Sequence, residues 1–482
     1  MATVNQVPTA RIAWRTAPAV GLALTVFGTI ASIAVVPTEV EAAGALKSAA
    51  WLSAIGLLAV AATLAFLAPQ SLFHPVHVTA AAPAYWLLLD VLQGAYDLPG
   101  LRQKAVTGAF IAVGLFSGGV WLAALQRPWA LPKAISHAAA IRLTGKQLFT
   151  IAALAFTMSF LKFAIPIGFD LELMFGALSQ GRWEAAWGRG NLGSWDAFLD
   201  HAAYFGYLLP SLTVLIGRQA GWTNWLTLMS GLFALIILLL MATGGGRRII
   251  GVMIGSGLSV WFLSARRPKL RHLLGVAAVC AGLLFFMQQM VQTRHLGVSS
   301  IFSKAADDSI TRLEYLHVDD NFLRLSQIVE IIPKEHPHTG IQWVIWLAVR
   351  PIPRVFWPGK PVDPGFDLPA FIGMEGVALS YSIIGEAYMA FGFLGIFGTG
   401  WIMGRLAVTL AHLLERHSTP AALAMFGSGL LALFAGMRSG LDLVLMMYPV
   451  LAWIALVWIY ERIRPSVRGF PRPAGPVAKL SG

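Results

Sequence analysis

The chain has 482 residues, 57% of them hydrophobic and only 12% charged, a balance outside the range of soluble globular domains. Its 35 Lys and Arg against 23 Asp and Glu give a formal net charge of +12, which in so apolar a chain reads as headgroup contact and topology signal, not as nucleic-acid binding. Cys280 is the single cysteine, so neither an internal disulfide nor a thiolate metal site is expected.

Apolar windows of about 20 residues, long enough to cross a hydrocarbon core about 30 Å thick, recur along the chain. They predict twelve membrane-spanning helices, near 17–36, 48–68, 76–93, 105–125, 147–169, 197–217, 223–243, 249–265, 273–291, 380–404, 420–437 and 441–460. The first lacks a cleavage site just after it and reads as a retained span. The third carries Pro83 and Asp90 and reads either as a span or as a re-entrant, buried segment. An even number of spans puts both termini on one side. The segments 126–146, 265–272 and 405–419, together with the tail beyond 461, concentrate Lys and Arg on that side and assign it to the cytoplasm. The expected organisation is an all-α polytopic membrane protein: nine helices in 1–291, an outward loop over 292–379, three helices in 380–460 and a basic cytoplasmic tail over 461–482. No Walker A, HExxH or EF-hand pattern occurs, so neither nucleotide hydrolysis nor a cofactor is expected.

The residues that would face outward carry the chemistry. The stretch 170–195 resembles an interfacial helix with Trp183 and Trp187 at headgroup level. Arg247 and Arg248 follow a triple glycine between the seventh and eighth spans, on the side where positive charge is disfavoured. Residues 309–333 have helical apolar spacing, with Asp308–Arg312 and Asp320–Arg324 as i,i+4 pairs. There His317, Asp319 and Asp320 are either the wet face of that helix or part of a site. Next comes "RPIPRVFWPGKP" (350–361), whose prolines hold the backbone stiff and non-helical. From it Arg350, Arg354 and Lys360 present cations suited to phosphate, beside Phe356 and Trp357, although Arg, Trp and Pro also gather at membrane boundaries as plain anchors. Glu386 lies inside the tenth span, where an acid costs about 2.5–3.5 kcal/mol and a guanidinium partner would offset it. Arg438 lies in "AGMRSGLD" between the last two spans, and Lys162, Asp200 and His201, within other spans, read either as internal pairs or as part of the site. A cationic outer mouth with aromatics suits an anionic amphipath, a lipid diphosphate whose tail stays in the bilayer.

Two motifs, taken in order, resemble a known family. Pro353, Arg354, Trp357, Pro358, Lys360 and Pro361, followed by Gly385, Glu386, Tyr388, Phe391, Gly392 and Gly395, are similar to the strip and helix found in bacterial O-antigen and exopolysaccharide repeat-unit polymerases of the Wzy type. The match covers roughly 333–398, and the rest agrees only in hydropathy and outward arginines. The resemblance implies a GT-C-like fold in the inner membrane with its site facing the periplasm. It implies transfer of a growing glycan from undecaprenyl diphosphate to a new lipid-linked repeat unit, with membrane lipids and a chain-length regulator as further partners. For that chemistry Glu386 is the first choice as base or orienter, ahead of His317 and Asp319, with Arg354 at the leaving diphosphate. Arg247, Arg248, Arg350, Lys360, Arg438, Tyr388 and Trp357 would bind substrate, and guanidinium groups would replace a metal ion. Two alternatives stay open. One is a ligase moving finished glycan to another acceptor, which His317, His336 and His338 keep in view. The other is a lipid-linked sugar flippase, which the lack of repeated halves disfavours.

Overall fold

The computed structural model of the protein describes residues 17–463 except 43, 96, 99, 182–183, 185–186, 188–195, 245, 266–269, 294–295, 303–314 and 375–378. Regular structure among the described residues is entirely helical. Eight helices are long and apolar enough to cross a membrane: Lys47–Leu67, Pro75–Gln93, Gln103–Ala124, Gly145–Ile167, Trp225–Ala242, Arg271–Gln292, Ser382–His417 and Gly440–Ile463. The chain is a multi-pass membrane protein. Length and composition establish eight crossing helices among the described residues, where twelve were expected. Spans 17–36 and 420–437 appear as the shorter apolar helices Pro18–Ala34 and Pro420–Ala435. Span 197–217 divides into Asp196–Gly206 and Leu209–Ala220, with Pro210 in the first turn of the second helix, where its missing N–H does no harm. Span 249–265 is the 17-residue helix Arg247–Leu263.

The third span is helical over Pro75–Gln93 and well buried. Pro83 is absorbed by a π-turn over 84–88, which makes room where proline interrupts the ordinary ladder. Elsewhere the expected boundaries shift. The tenth span runs on to His417, so Arg405 and Arg416 belong to a helix and not to a loop. Of the amphipathic segment 309–333, Asn321–Ile331 is helical and 316–320 is not, while Asp308 and Arg312 lie outside the described residues. Ile341–Val349 is a short helix that the sequence pattern did not mark. Trp187 is buried, its indole N–H donating to Thr243 Oγ1 at 3.2 Å, instead of lying at a headgroup surface; Trp183 falls outside the described residues. Lys162 and Asp200 form an ion pair, but with Asp200 exposed it lies at the surface and not in the interior.

Buried apolar side chains form two cores. One gathers Lys47–Leu67, Pro75–Gln93, Gln103–Ala124, Asn321–Ile331 and much of Ser382–His417; the other gathers 145–164, 209–220, 225–242, 247–263 and Gly440–Ile463. Pro420–Ala435 joins them, giving Leu433 to the first and Ala432 and Ala435 to the second. Against lipid, where no hydrophobic force drives helices together, close backbone contact does the joining. Gly400 and Gly404 of Ser382–His417 ride on Phe116 and Val120 of Gln103–Ala124, and a Cβ on Gly400 would run into the Phe116 carbonyl. Gly400→Leu should therefore destabilise the fold by at least about 1–3 kcal/mol, read as a lower melting temperature in detergent. Gly398→Ala, whose new methyl meets no atom within 4 Å, should change it by less than about 0.5 kcal/mol.

Candidate functional site

Ser382–His417 is broken. Phe391 (φ −139°, ψ 17°) and Gly392 (φ 64°, ψ −151°) leave helical geometry, and the Gly392 conformation is one that only glycine adopts without strain. Carbonyls released by the break are taken up by a neighbouring turn. Thr339 and Gly340 N–H donate to Met389 and Ala390 O at 3.1 and 3.0 Å, and the His338 ring meets Tyr388 and Met389 O at 3.1 and 3.2 Å. The half-helix 382–390 is thereby an independent, buried element, as backbone at membrane depth must be when it is not lipid-facing helix. Its other end is tied to the 436–439 connection: Ile383 N–H donates to Met437 O at 3.1 Å and Ser380 Oγ to Arg438 O at 2.7 Å.

Glu386 sits on this half-helix, 6% exposed. The expected arginine does not bond it. Glu386 Oε2 accepts instead from Trp343 Nε1 at 3.0 Å and from the Gly440 N–H at 2.9 Å, with Arg438 close enough to act through its field. Two residues before and after Gly440 stand Arg438 and Asp442, which belong to a charge network drawn from three parts of the chain. Asp442 Oδ2 meets Arg248 Nη1 at 2.5 Å and Arg438 Nη1 at 3.0 Å. Asp319 Oδ2 meets Arg438 Nε at 2.8 Å, and its Oδ1 is 3.7 Å from Arg247 Nη2. Arg247 also donates to the His317 carbonyl at 2.5 Å and to that of Val318. Burial alone would weaken the charge on Arg438, yet the Asp319 and Asp442 carboxylates outweigh it and push its pKa above the ordinary arginine value. Within this bonded network three guanidiniums face two carboxylates, which leaves a formal excess of one positive charge.

The network brings together Arg247, Arg248, Arg438 and Asp319, with His317 joined through its backbone and Glu386 one hydrogen-bonded residue away. Residues 350–361 are non-helical turns, as expected. Lys360 is pulled inside, its ammonium donating to Arg350 O at 3.0 Å and Ile352 O at 2.7 Å. Burial, with Arg350 and Arg354 nearby, lowers its pKa. Lys360 is thus the clamp that closes the strip, not a group extended toward a ligand. Arg350 lies over the Trp346 ring at 5.8 Å and within electrostatic reach of Tyr448, while Arg354 is half-exposed and Trp357 exposed. Tyr388 is two residues, and so about 200° around the helix, from Glu386. Its hydroxyl donates to Ile332 O at 3.3 Å, turned away from the acid.

Three participants went unassigned in the sequence. Asp442 stood beside Arg438 in the same motif, in the basic-before-acidic order that helices favour less. Asp90 registered only as a blemish in the third span, yet it is buried and accepts the Val318 N–H at 3.1 Å, anchoring the loop that carries Asp319. Trp343 gave no signal beyond hydrophobicity. Asp90, His317 and Asp320 also bring one potential ligand atom each to within 4.8 Å of one another, donor types that suit a hard divalent cation. Against that fit, Asp90 already holds a backbone N–H, Asp320 lies 3.6 Å from Arg324, and the Arg247 guanidinium occupies the neighbouring carbonyls. No family model, curated protein or solved structure matches this chain.

Asp442 is 1% exposed and serves two arginines, so Asp442→Asn should take the carboxylate from Arg248 and leave Arg438 with Asp319 alone. The expected loss is about 3–5 kcal/mol, measured by thermal unfolding in detergent. Adding Arg248→Met should recover part of it; strictly additive losses would show Asp442 and Arg248 to be uncoupled.

Proposed function

We propose that the protein is a glycosyltransferase that polymerises undecaprenyl-diphosphate-linked oligosaccharide repeat units at the periplasmic face of the bacterial inner membrane, within a GT-C-like twelve-span fold. The observation that carries this reading is the convergence of Arg247, Arg248 and Arg438 beside a buried acid, Glu386, at the seam of two apolar cores. The Lys and Arg distribution supports an outward orientation for that seam.

In the reaction the acceptor sugar hydroxyl attacks the anomeric carbon of the growing glycan. The bond from that carbon to the diphosphate oxygen breaks, and undecaprenyl diphosphate departs with the electron pair. Glu386, fixed by Trp343 and Gly440, receives the hydroxyl proton. The arginines take the charge that gathers on the leaving diphosphate, where a preorganised guanidinium in a poorly hydrated site is worth most. Arg354 and Arg350, on the stiff strip, meet the diphosphate from outside, and Trp357 rests at the interface or against sugar. A chain-length regulator and the surrounding lipids are the partners this reading brings with it. Ligation finds less support. Of the three histidines on which that alternative leaned, His336 and His338 are engaged with the carbonyls of Pro337 and of Tyr388 and Met389, while His317 stands beside the arginine network.

Purified protein incubated with synthetic undecaprenyl-diphosphate-linked repeat units should produce a ladder of longer lipid-linked glycans. Capping of a foreign acceptor would mean ligation, and intact substrate with altered sidedness would mean flipping. Glu386→Gln should slow chain growth about 10²–10⁴-fold with insertion and melting temperature preserved; wild-type turnover would remove the acid from the chemistry. Arg354→Ala should stop chain growth, and normal polymer length in it would count against a diphosphate role. Chelation by EDTA should leave the ladder unchanged, whereas its loss would transfer charge neutralisation to a cation at Asp90, His317 and Asp320.

A further inference from the structure

Arg405 lies on the half of Ser382–His417 beyond the break, 7% exposed. Its guanidinium carbon is 5.2 Å from the ring centre of Trp129, in the 125–132 connection, and 5.8 Å from that of Trp401, one turn earlier on its own helix. The two indoles meet edge to face at 6.2 Å. Trp129 is fixed there, because its backbone N–H donates to Thr409 Oγ1 at 3.0 Å, and that hydroxyl donates in turn to the Arg405 carbonyl at 2.8 Å. Arg405 Nε and Nη1 are buried and meet no acceptor among the described residues.

A permanently charged side chain in that condition is out of balance. Indole faces engage the flat of a guanidinium and leave its N–H edges unsatisfied, and edges without acceptors carry the full desolvation penalty. The same chain provides the contrast. Arg218 is likewise flanked by two indoles, Trp222 and Trp261 at 5.7 and 5.9 Å, but its Nε and Nη2 donate to Ser264 Oγ and Trp261 O, both at 3.1 Å. Arg218 has a completed shell and Arg405 has half of one. About one turn further along the helix a cavity of about 140 Å³ opens, walled by His74, Val76, Ala124, Pro128, Val408 and Ala411, with His412 and Glu415 at its polar end; Arg405 itself is not part of its wall. The His412 ring lies 3.8 Å from the Glu415 carboxylate, so that acid has a neighbour of its own.

We propose that Arg405, in its Trp129–Trp401 cage, is the anchor of an anion-binding site for a phosphate ester, the missing acceptor for its free N–H groups. The site is separate from the arginine network and independent of the polymerase reading. A phospholipid headgroup and a soluble phosphate compound share this chemistry, and the test separates them.

Full-length protein, delipidated in detergent, is titrated with dioleoyl phosphatidylglycerol, with dioleoyl phosphatidylcholine and with inorganic phosphate, following melting temperature and the bound mass by native mass spectrometry. Wild type should be stabilised and carry one bound phosphate-bearing molecule. Arg405→Met should bind it about tenfold more weakly and, before ligand is added, melt no lower than wild type, since it deletes an uncompensated charge. A response to either lipid without one to phosphate identifies a headgroup site, and a response to phosphate alone identifies a soluble ligand; both uphold the proposal. Equal responses of wild type and Arg405→Met, or no response of wild type to any of the three, overturn it. Should Arg405→Met not fold, Arg405→Lys is read in the same titration: weakened binding upholds the site, and unchanged affinity overturns it.

Discussion

Two carboxylates, Asp319 and Asp442, hold three arginines within this apolar bundle, and each reaches an arginine from a distant part of the chain. Much of the local architecture follows. The 316–320 loop must come down beside the start of Arg247–Leu263, and Asp90 holds it there through the Val318 N–H. The 436–439 connection must lie against the half-helix 382–390, because Arg438 joins both aspartates while its carbonyl and that of Met437 receive Ser380 and Ile383. Glu386 is then placed by the backbone of Gly440 and not by a charge of its own choosing. The acid and the guanidiniums are connected through main chain, which is stiffer than any pair of long side chains.

Hydropathy made the membrane class and most helix positions readable, because crossing a bilayer imposes a length and a composition at once. The same signal placed the ends poorly. Nothing in apolar content distinguishes a helix that stops at 404 from one that continues to His417, and a window average cannot see Pro210 dividing 197–217. Candidate arginines were legible because cations on the disfavoured side of a span stand out in so apolar a chain. Their partners were not: Asp319 reaches Arg438 across 119 residues and Asp442 reaches Arg248 across 194, separations that carry no periodicity. Glu386 was legible as an acid in a span, whereas its indole donor, Trp343, lies in a helix too short to show as a pattern, and its backbone donor, Gly440, is only the first residue of the last long helix.

The proline strip is stiff for two reasons, of which the sequence displays one. Proline fixes the backbone from within, and Lys360, drawn underneath, ties the carbonyls of Arg350 and Ile352 together from below. Trp346 adds a third restraint through its indole N–H to Val362 O at 3.2 Å. A cation read as reaching outward is thus turned inward, and the half-exposed guanidinium of Arg354 is left on a platform with little freedom to lose on meeting a ligand.

Taken as one rod, the 36 residues of Ser382–His417 would be about 54 Å long, far more than a hydrocarbon core about 30 Å thick needs. The discontinuity at Phe391 and Gly392 converts surplus length into a change of direction. The longer portion takes its direction from Gln103–Ala124, on which Gly400 and Gly404 ride, while the shorter portion bears on the opposing turn and connection. A carboxylate mounted on the shorter portion is thus aimed by those two contacts and not by the axis of the longer one.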